Sequence, residues 1–159
     1  MIRKLLTSDV EALLMIEEAA QEAPWSRAAF ERCFEAKYPG WVAVDSDKVV
    51  GFSMVSLAAG ECHILNLCVH PDFHRKGLGR ALLQQALDWA KNEEAVMIYL
   101  EVRRSNLAAI QLYLNMDFKQ IGERKDYYPA PKGKKEDALI FARDIGIEIF
   151  LEKQPNFGK

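Results

Sequence analysis

One short segment combines residue types that could bind an anion. Residues 74–80 read His-Arg-Lys-Gly-Leu-Gly-Arg, so two glycines and three cationic residues run directly into an amphipathic sequence. The first N–H groups of a helix have no partner within the helix, and that end of the helix carries a partial positive charge. A glycine-rich turn that opens a helix therefore predicts a phosphate-binding site.

Three classes of phosphate ligand use such a turn. A dinucleotide fingerprint requires a third glycine three residues after Gly79, where this chain has Leu82. A nucleotide-binding P-loop requires Gly-Lys followed by Ser or Thr, where the chain has Gly79-Arg80-Ala81. The third class is acetyl-coenzyme A, whose pyrophosphate the backbone N–H groups of Arg75–Arg80 could bind. A tight turn that merely precedes a core helix is the alternative without a ligand.

Hydrophobic periodicity predicts the elements that position this turn. Ser8 and Glu11 have capping-box spacing and Ser26 can cap a second helix, so two helices are expected near the N-terminus. Later patterns predict strands at 41–44, 49–55 and 62–69, a helix at 77–91, a strand at 96–100 that stops at Glu101, a helix from Ser105-Asn106 to about Met116, and strands at 118–124 and 138–143 joined by a polar loop at 127–135. This order predicts a mixed sheet flanked by helices.

Length and charge limit the class of protein. The 159 residues, half of them hydrophobic, suffice for one buried core and are too few for two ordinary domains. The 21 basic and 23 acidic residues give no general attraction to nucleic acid or to a membrane. No uncharged run approaches about 18 residues, the length of a membrane-spanning helix, and no signal peptide is evident. A cytoplasmic location is expected.

The three cysteines, Cys33, Cys62 and Cys68, are odd in number and lack the close spacing of zinc or redox motifs. They are predicted to be small buried hydrophobic residues in a reducing compartment, and no metal site is predicted. Cys68 with His63 and His70 would suit a Cys-His hydrolase, but no third residue is indicated that would orient such a pair.

A set of spaced motifs carries a family resemblance. The chain reads V-x-P-x-F-x-R-x-G-x-G-R-x-L-L at 69–83, L-E-V-R-x-S-N at 100–106 and A-x-x-L-Y at 109–113, followed by Phe118. This set resembles the GCN5-related N-acetyltransferases. Within them, A-P-W-S at 23–26 and Y-Y-P at 127–129 are similar to the RimI-type ribosomal-protein-alanine N-acetyltransferases. The resemblance covers residues 1–144, which we treat as the domain, and leaves 145–159 as a tail of unknown role.

The resemblance implies an α/β (α+β) fold: a mixed, mostly antiparallel sheet with flanking helices and a central β-loop-α-β unit that binds acetyl-CoA. It implies that the acetyl donor contacts the strand residues Leu67, Cys68 and Val69, the turn residues Arg75, Lys76, Gly77, Leu78, Gly79 and Arg80, and Asn106. Two positions depart from the family pattern. His74 stands where Gln or Arg is usual, and Asp117 stands where Gly is usual, at an expected helix end where Asp tolerates the left-handed conformation.

Two residues are predicted to be catalytic. Glu101 ends an apolar strand where the ligand crevice should open, so burial should raise its pKa and make it a general base, acting through a water. A carboxylate paired with Arg103 or Arg104 is the alternative. Tyr113 carries a phenol that stays protonated at neutral pH and can donate to the departing thiolate, unless it is a core tyrosine. The resemblance adds backbone N–H groups of residues 67–69 as donors to the developing oxyanion.

The resemblance also selects the acceptor, a protein N-terminal α-amine and specifically the N-terminal alanine of a small-subunit ribosomal protein. Trp25, Tyr127 and Tyr128 would shape the peptide side, unless the tyrosines only pack over the sheet edge. Alternatives are a polyamine-like small-molecule acceptor and a coenzyme A binding module without catalysis. No nucleic acid or membrane partner is expected, and the chain should be a monomer or a weak homodimer.

Overall fold

Seven strands form one sheet in the computed structural model, which describes residues 1–153. The strands are β1 (Ile2–Lys4), β2 (Gly40–Asp45), β3 (Lys48–Ala58), β4 (Glu61–Val69), β5 (Met97–Arg103), β6 (Lys119–Pro129) and β7 (Lys135–Asp144). Their order in the sheet is β1-β2-β3-β4-β5-β7-β6. Within the described residues, β4 and β5 form the parallel pair and the other neighbours are antiparallel. The predicted mixed, mostly antiparallel sheet is therefore confirmed.

Helices cover both faces of this sheet. They are α1 (Val10–Ala20), α2 (Arg27–Glu35), α3 (Leu78–Asn92), α4 (Leu107–Asn115) and α5 (Gly146–Lys153). One hydrophobic cluster joins α1 and α2 to the sheet through Leu13, Ile16 and Phe30. A larger cluster joins α3 and α4 to the opposite face through residues such as Leu83 and Tyr113. The apolar stripe predicted for α3 is buried in that cluster, as its helical spacing required.

Helix ends follow the predicted capping residues except at α1. Ser26 accepts a hydrogen bond from the Ala29 N–H at 3.2 Å and begins α2 as predicted. The prediction that Ser8 caps the first helix is wrong. Residues 7–9 form a 3₁₀ turn, in which the Asp9 side chain accepts a hydrogen bond from the Leu6 N–H at 2.8 Å. Asp117 follows α4 with φ 65°, the left-handed conformation expected of it.

The closing hairpin is longer than its polar sequence predicted. Tyr127 and Tyr128 lie within β6 rather than in a loop, because pairing resumes at Tyr128↔Glu136 after an irregular stretch. In that stretch Asp126 adopts a φ of 53°, and its N–H donates to Asp137 Oδ1 at 3.0 Å. This local bond replaces a ladder bond, so the strand continues through a sequence that resembles a turn.

The start of the tail is attached to the sheet. Ile145 is fully buried, and its N–H donates to the Val96 carbonyl at 3.0 Å. In α5, Glu148 pairs with Arg143 at 2.6 Å and with Lys91 at 2.9 Å. The apolar side chains of Ile147, Phe150 and Leu151 are exposed, so they do not hold this helix to the domain. Residues 154–159 lie outside the described part of the chain, and the division at residue 144 stays a prediction.

Candidate active site

The central feature of the site is a gap between two parallel strands. Residues 61–64 of β4 pair with residues 97–100 of β5, and the two strands separate beyond that point. The prediction that β5 stops at Glu101 is wrong, because pairing with β7 carries it on to Arg103. What ends before Glu101 is the pairing with β4. The carboxyl ends of the two parallel strands therefore form the walls of an open crevice, where ligands bind in such sheets.

A bulge in β4 coincides with this separation. Met54 pairs with Asn66, whereas the next residue, Val55, pairs with Ile64. Leu65 is therefore an extra residue in β4, and an extra residue bends a strand locally. The bend directs the remainder of β4 away from β5 and opens the gap.

The backbone of β4 beyond the bulge offers free groups to this gap. The His70 N–H donates to the Val50 carbonyl at 2.8 Å, so these two residues continue the hydrogen-bonded series of the β3–β4 ladder. Since such pairs alternate along an antiparallel ladder, Cys68 is also bonded to β3. Leu67 and Val69 alternate with it, and their N–H and C=O groups point away from β3. Of the predicted strand residues, Leu67 thus presents its N–H and C=O to the gap, Val69 presents its N–H because its C=O lies 2.8 Å from His74 Nε2, and Cys68 presents neither.

The glycine turn lies at the end of β4 and opens α3 as predicted. Gly77 precedes the helix with φ 77°, in the left-handed region that glycine favours. After His74, the first N–H within residues 1–153 that finds a backbone acceptor is that of Ala81, which donates to Gly77 at 3.0 Å. The intervening N–H groups, from Arg75 to Arg80, remain available, as an anion-binding helix start requires.

His74, the unusual residue of the turn, is used within the protein. Its Nε2 lies 2.8 Å from the Val69 carbonyl oxygen. A carbonyl oxygen only accepts, so the His74 ring carries its proton on Nε2 and donates it. The side chain thus ties the turn to β4, and this bond holds the start of the turn against the open edge of the strand.

The two glycines of the turn are expected to differ in their tolerance of a side chain. A Cβ at Gly77 would meet no atom within 4 Å, but its φ of 77° strains any L-residue, so Gly77→Ala should lower the free energy of unfolding by about 1–2 kcal/mol. A Cβ at Gly79 would lie 3.5 Å from Leu112 Cδ2, an ordinary contact within a helix, so Gly79→Ala should leave stability unchanged or slightly raised. Urea unfolding of both variants measures this, and equal losses would contradict it.

A cavity in the gap brings together both predicted catalytic residues and the predicted acceptor-side residues. Its volume is about 460 Å³, and its lining includes Trp25, Leu67, Glu101, Asn106, Tyr113, Tyr127 and Tyr128. A second cavity of about 440 Å³ is also lined by Trp25, Glu101, Tyr127 and Tyr128, and it extends towards His63 and Tyr99. Glu101 therefore borders both spaces, so two ligands that enter from different sides could meet beside it. Cys68, Val69 and the turn at 75–80 do not line either cavity.

Glu101 is partly exposed and paired. Its Oε1 forms an ion pair with Arg124, 3.1 Å from the Nε atom, and 27% of its side chain is exposed. The alternative partners considered from sequence are engaged elsewhere, Arg103 with Glu136 and Arg104 with Glu123 and Asp137. Glu101 borders two cavities, and the Arg124 side chain beside it is itself half exposed. A carboxylate in this position can accept a proton from a bound amine or water.

Tyr113 extends from α4 into the same cavity. Its ring packs against Phe118 and Phe141, with centroids 6.0 and 6.2 Å away. Burial raises the pKa of its phenol well above the usual value, and nearby Tyr128 and Cys68 add to the rise; no hydrogen bond within the described residues contributes. The hydroxyl is therefore protonated at neutral pH and available as a donor to a ligand.

Asn106 lies on the wall next to Tyr113 and caps α4. Its Oδ1 accepts from the Ala109 N–H at 3.2 Å, which confirms the predicted helix start. That bond fixes the amide, and its NH₂ end is the part left for a ligand. The capping role explains the residue type independently of any ligand contact, and the contact itself stays a prediction.

The two tyrosines of β6 form an aromatic wall with two arginines. Their ring centroids are 5.0 Å apart, and Arg103 lies over Tyr128 while Arg124 lies over Tyr127. Burial raises the pKa of Tyr128 to about 12. These cation–π contacts fix the wall at the edge of the sheet, opposite Trp25 across the gap.

One buried carboxylate in the cavity lining escaped sequence analysis. Glu17 is 1% exposed, accepts from the Trp25 N–H at 2.8 Å, and accepts from Asn66 Nδ2 at 2.7 Å. A signal existed, because Leu13, Ile16 and Glu17 occupy positions i, i+3 and i+4 of α1, and an acid on an apolar helical stripe is unusual.

The cysteines are buried thiols, as predicted. Burial raises the pKa of Cys62 to about 11 and that of Cys68 to about 12, so neither is a thiolate at neutral pH. The hydrolase alternative lacks its nucleophile for this reason. Among residues 1–153, no group of three or more potential metal ligands is arranged to hold an ion.

Alkylation should report this burial. The thiolate is the reactive form, and it is scarce wherever the pH lies well below the thiol pKa. At pH 8 we expect iodoacetamide to leave all three cysteines of the native protein largely unmodified, and to label all three in denaturant. Intact mass spectrometry measures the difference. Rapid labelling of Cys68 in the native protein at pH 8 would show that its thiol is activated.

The gap, the turn and the cavity together form a ligand crevice at the carboxyl ends of two parallel strands, with an anion-binding helix start beside it. The chain belongs to the acetyltransferase (GNAT) family, whose sequence model matches residues 7–118. It is 36% identical to the [ribosomal protein bS18]-alanine N-acetyltransferase of Escherichia coli K12, over 92% of this chain and 98% of that protein. The corresponding enzyme of Haemophilus ducreyi is 34% identical, over 89% and 98%.

Solved structures agree with this assignment. The crystal structure of the E. coli ribosomal-protein-S18-alanine N-acetyltransferase matches with a TM-score of 0.85, covering 91% of this chain and 93% of that chain. A ribosomal-protein-alanine N-acetyltransferase from Brucella melitensis, 20% identical, shares the fold with a TM-score of 0.77, covering 91% and 99%. A membrane-spanning helix needs about 20 apolar residues, and no helix in the described part of the chain meets that requirement.

Proposed function

We propose that this protein transfers the acetyl group of acetyl-CoA to a protein N-terminal α-amine, and that the acceptor is the N-terminal alanine of ribosomal protein bS18. The E. coli relative, a [ribosomal protein bS18]-alanine N-acetyltransferase that is 36% identical along nearly the whole chain, supports this acceptor. The observation that carries the proposal is the cavity in the strand gap, which brings Glu101 and Tyr113 together.

On the donor side, the turn and β4 form a continuous binding surface. The free N–H groups of Arg75–Arg80 face the pyrophosphate, and the side chains of Arg75, Lys76 and Arg80 supply positive charge. Gly79 lies beside both Val69 of β4 and Leu112 of α4, so the turn adjoins the two walls of the gap. The donor's arm extends from there along Leu67 and Val69, and Asn106 contacts it from the opposite wall.

Acetyl transfer then needs one base, one acid and an oxyanion donor. Glu101 accepts the proton of the substrate ammonium, through a water, and the neutral amine nitrogen bonds to the thioester carbon. The negative charge that develops on the carbonyl oxygen is stabilised by a backbone N–H of β4, at Leu67 or Val69. The carbon–sulfur bond breaks, Tyr113 donates its proton to the departing thiolate, and the acetylated nitrogen loses its remaining extra proton to solvent. A bulk-solvent proton then restores the phenol.

The acceptor enters between Trp25 and the aromatic wall of Tyr127 and Tyr128. An α-amine with a pKa near 8 is about one-tenth neutral at pH 7, whereas a lysine amine with a pKa of about 10.4 is neutral in roughly one molecule in a few thousand. A single partly exposed carboxylate is an adequate base for deprotonating an α-amine and a poor one for deprotonating a lysine amine. This favours an N-terminal acceptor. The proposal needs one copy of the chain, as a monomer or weak homodimer, acting in the cytoplasm where ribosomal proteins are made.

Coenzyme A release with three acceptors tests the proposal. The first is a peptide with the N-terminal sequence of bS18 from the same organism, the second is that peptide with its α-amine blocked, and the third is spermidine. We expect turnover with the free peptide alone. Preferred turnover of spermidine would show a small-molecule enzyme, and tight coenzyme A binding without turnover would show a module without catalysis; either result overturns the proposal.

A further inference from the structure

Glu17 connects two parts of the site that are far apart in the sequence. The backbone N–H of Trp25 donates a hydrogen bond to Glu17. Trp25 lies in the connection between α1 and α2, which we call the acceptor loop (residues 21–26). The side-chain amide of Asn66 also donates a hydrogen bond to Glu17, at 2.7 Å, and Asn66 directly follows the bulge residue Leu65. The carboxylate therefore spans from the wall that would contact the acceptor to the strand that would stabilise the oxyanion.

Stability alone does not explain a carboxylate at this position. The fully buried Leu13 and the nearly buried Ile16 already hold α1 to the sheet. Removing a carboxylate from water is expensive, and well-packed apolar residues usually replace buried charges without loss of stability. Burial raises the pKa of Glu17, and the bonds from Trp25 and Asn66 oppose that rise. Both oxygens are thus used, each to fix one wall.

We propose that Glu17 is a positioning residue, whose two hydrogen bonds hold the acceptor loop at a fixed distance from the Leu67 N–H beyond the bulge. The inference rests on the proposed transfer to an amine. The amine must approach the thioester carbon while the β4 N–H groups face the thioester carbonyl oxygen. The acceptor loop and β4 must therefore be held in a fixed position relative to each other. A displacement of about 1 Å between reacting groups can reduce a rate about 10²-fold.

The chemistry of the pair allows a test by exchange. In Glu17→Gln, the new amide oxygen can accept from the Trp25 N–H, and its NH₂ can donate to the Asn66 oxygen once that amide turns over. In Asn66→Asp, two carboxylates face each other at about 2.7 Å, the present donor–acceptor distance, and repel. In the double variant Glu17→Gln/Asn66→Asp, the new amide donates to the new carboxylate and both bonds are restored.

The measurement is kcat/KM for the bS18 peptide, taken at a temperature where circular dichroism shows each variant folded, so that a merely structural role does not lower it. We expect Glu17→Gln to lose less than about 5-fold, Asn66→Asp to lose about 10²-fold, and the double variant to recover to within about 3-fold of Glu17→Gln. Glu18→Gln, an exposed neighbour on α1, is the matched control.

Three outcomes overturn the inference. Equal large losses in Glu17→Gln and in Asn66→Asp would show that the charge of Glu17 matters rather than its bonds. Wild-type kcat/KM in folded Asn66→Asp, or no recovery in the double variant, would show that the bond to Asn66 does not position the site. The wild-type protein distinguishes failure of this inference from failure of the proposed function. If the wild-type protein did not turn over the peptide, the proposed function would be contradicted, but the hydrogen bonds of Glu17 would not.

Discussion

Replacing Glu101 by glutamine should lower kcat by about 10²- to 10⁴-fold, the usual contribution of a positioned general base. Glutamine keeps the size of the side chain and removes only its charge, so the gap should keep its shape. The KM for acetyl-CoA should change little, because Glu101 lies beyond the surface that binds the donor. Steady-state kinetics with the bS18 peptide, together with titration of coenzyme A, measures both quantities.

The loss of activity in Glu101→Gln should be largest at low pH and should decrease as the pH rises. Below pH 7 almost all of the acceptor is ammonium, and a base in the site matters most. As the pH rises towards the amine pKa near 8, solvent removes the proton and the deficit of Glu101→Gln should shrink. Glu123→Gln is the matched control, because Glu123 lies on β6 and pairs with Arg104. A wild-type rate in Glu101→Gln, or a deficit that grows with pH, would exclude Glu101 as the base.

Replacing Tyr113 by phenylalanine should lower kcat by about 10²-fold or more, because the thiolate would leave without a proton. Stability should not fall, since phenylalanine keeps the packing against Phe118 and Phe141 and removes a buried hydroxyl that makes no hydrogen bond within the described residues. The affinity for coenzyme A should be retained. Rapid-mixing kinetics and thermal unfolding of the variant test these statements together.

The direction of the pKa shift adds a second readout. A phenol whose pKa is raised stays protonated through the assay range, so loss of the Tyr113 proton should not reduce wild-type activity up to about pH 10. Tyr38→Phe, at a tyrosine outside both cavities, is the control. If Tyr113→Phe turned over at the wild-type rate, Tyr113 would be a core tyrosine, the alternative that the sequence left open.

Features set by local sequence were predictable. Gly77 opens α3 and Ser26 and Asn106 cap their helices because each feature depends on a few adjacent residues. The apolar stripe of α3 and the strand at 62–69 likewise follow from periodicity alone. The spacing of the turn, Glu101, Asn106 and Tyr113 was sufficient for the family, and with it for a mixed, mostly antiparallel sheet.

Features set by contacts between distant residues were not predictable. The bulge at Leu65 depends on pairing with β3, and the same bulge decides which backbone groups of β4 face the gap. Arg124 of β6 forms the ion pair with Glu101, whereas sequence analysis considered only the neighbouring Arg103 and Arg104. Glu17 and Asn66 are 49 positions apart, so no local pattern relates them. Each of these contacts shapes the site rather than the fold.

Mass spectrometry of bS18 from cells tests the central claim most directly. The protein should carry an acetyl group on its N-terminal alanine in cells that contain this enzyme, and fragmentation should place the group on the α-nitrogen rather than on a lysine. Deleting the gene should abolish the modification, and the wild-type gene, but not Glu101→Gln, should restore it. Persistence of acetylated alanine on bS18 in the deleted strain would contradict the account.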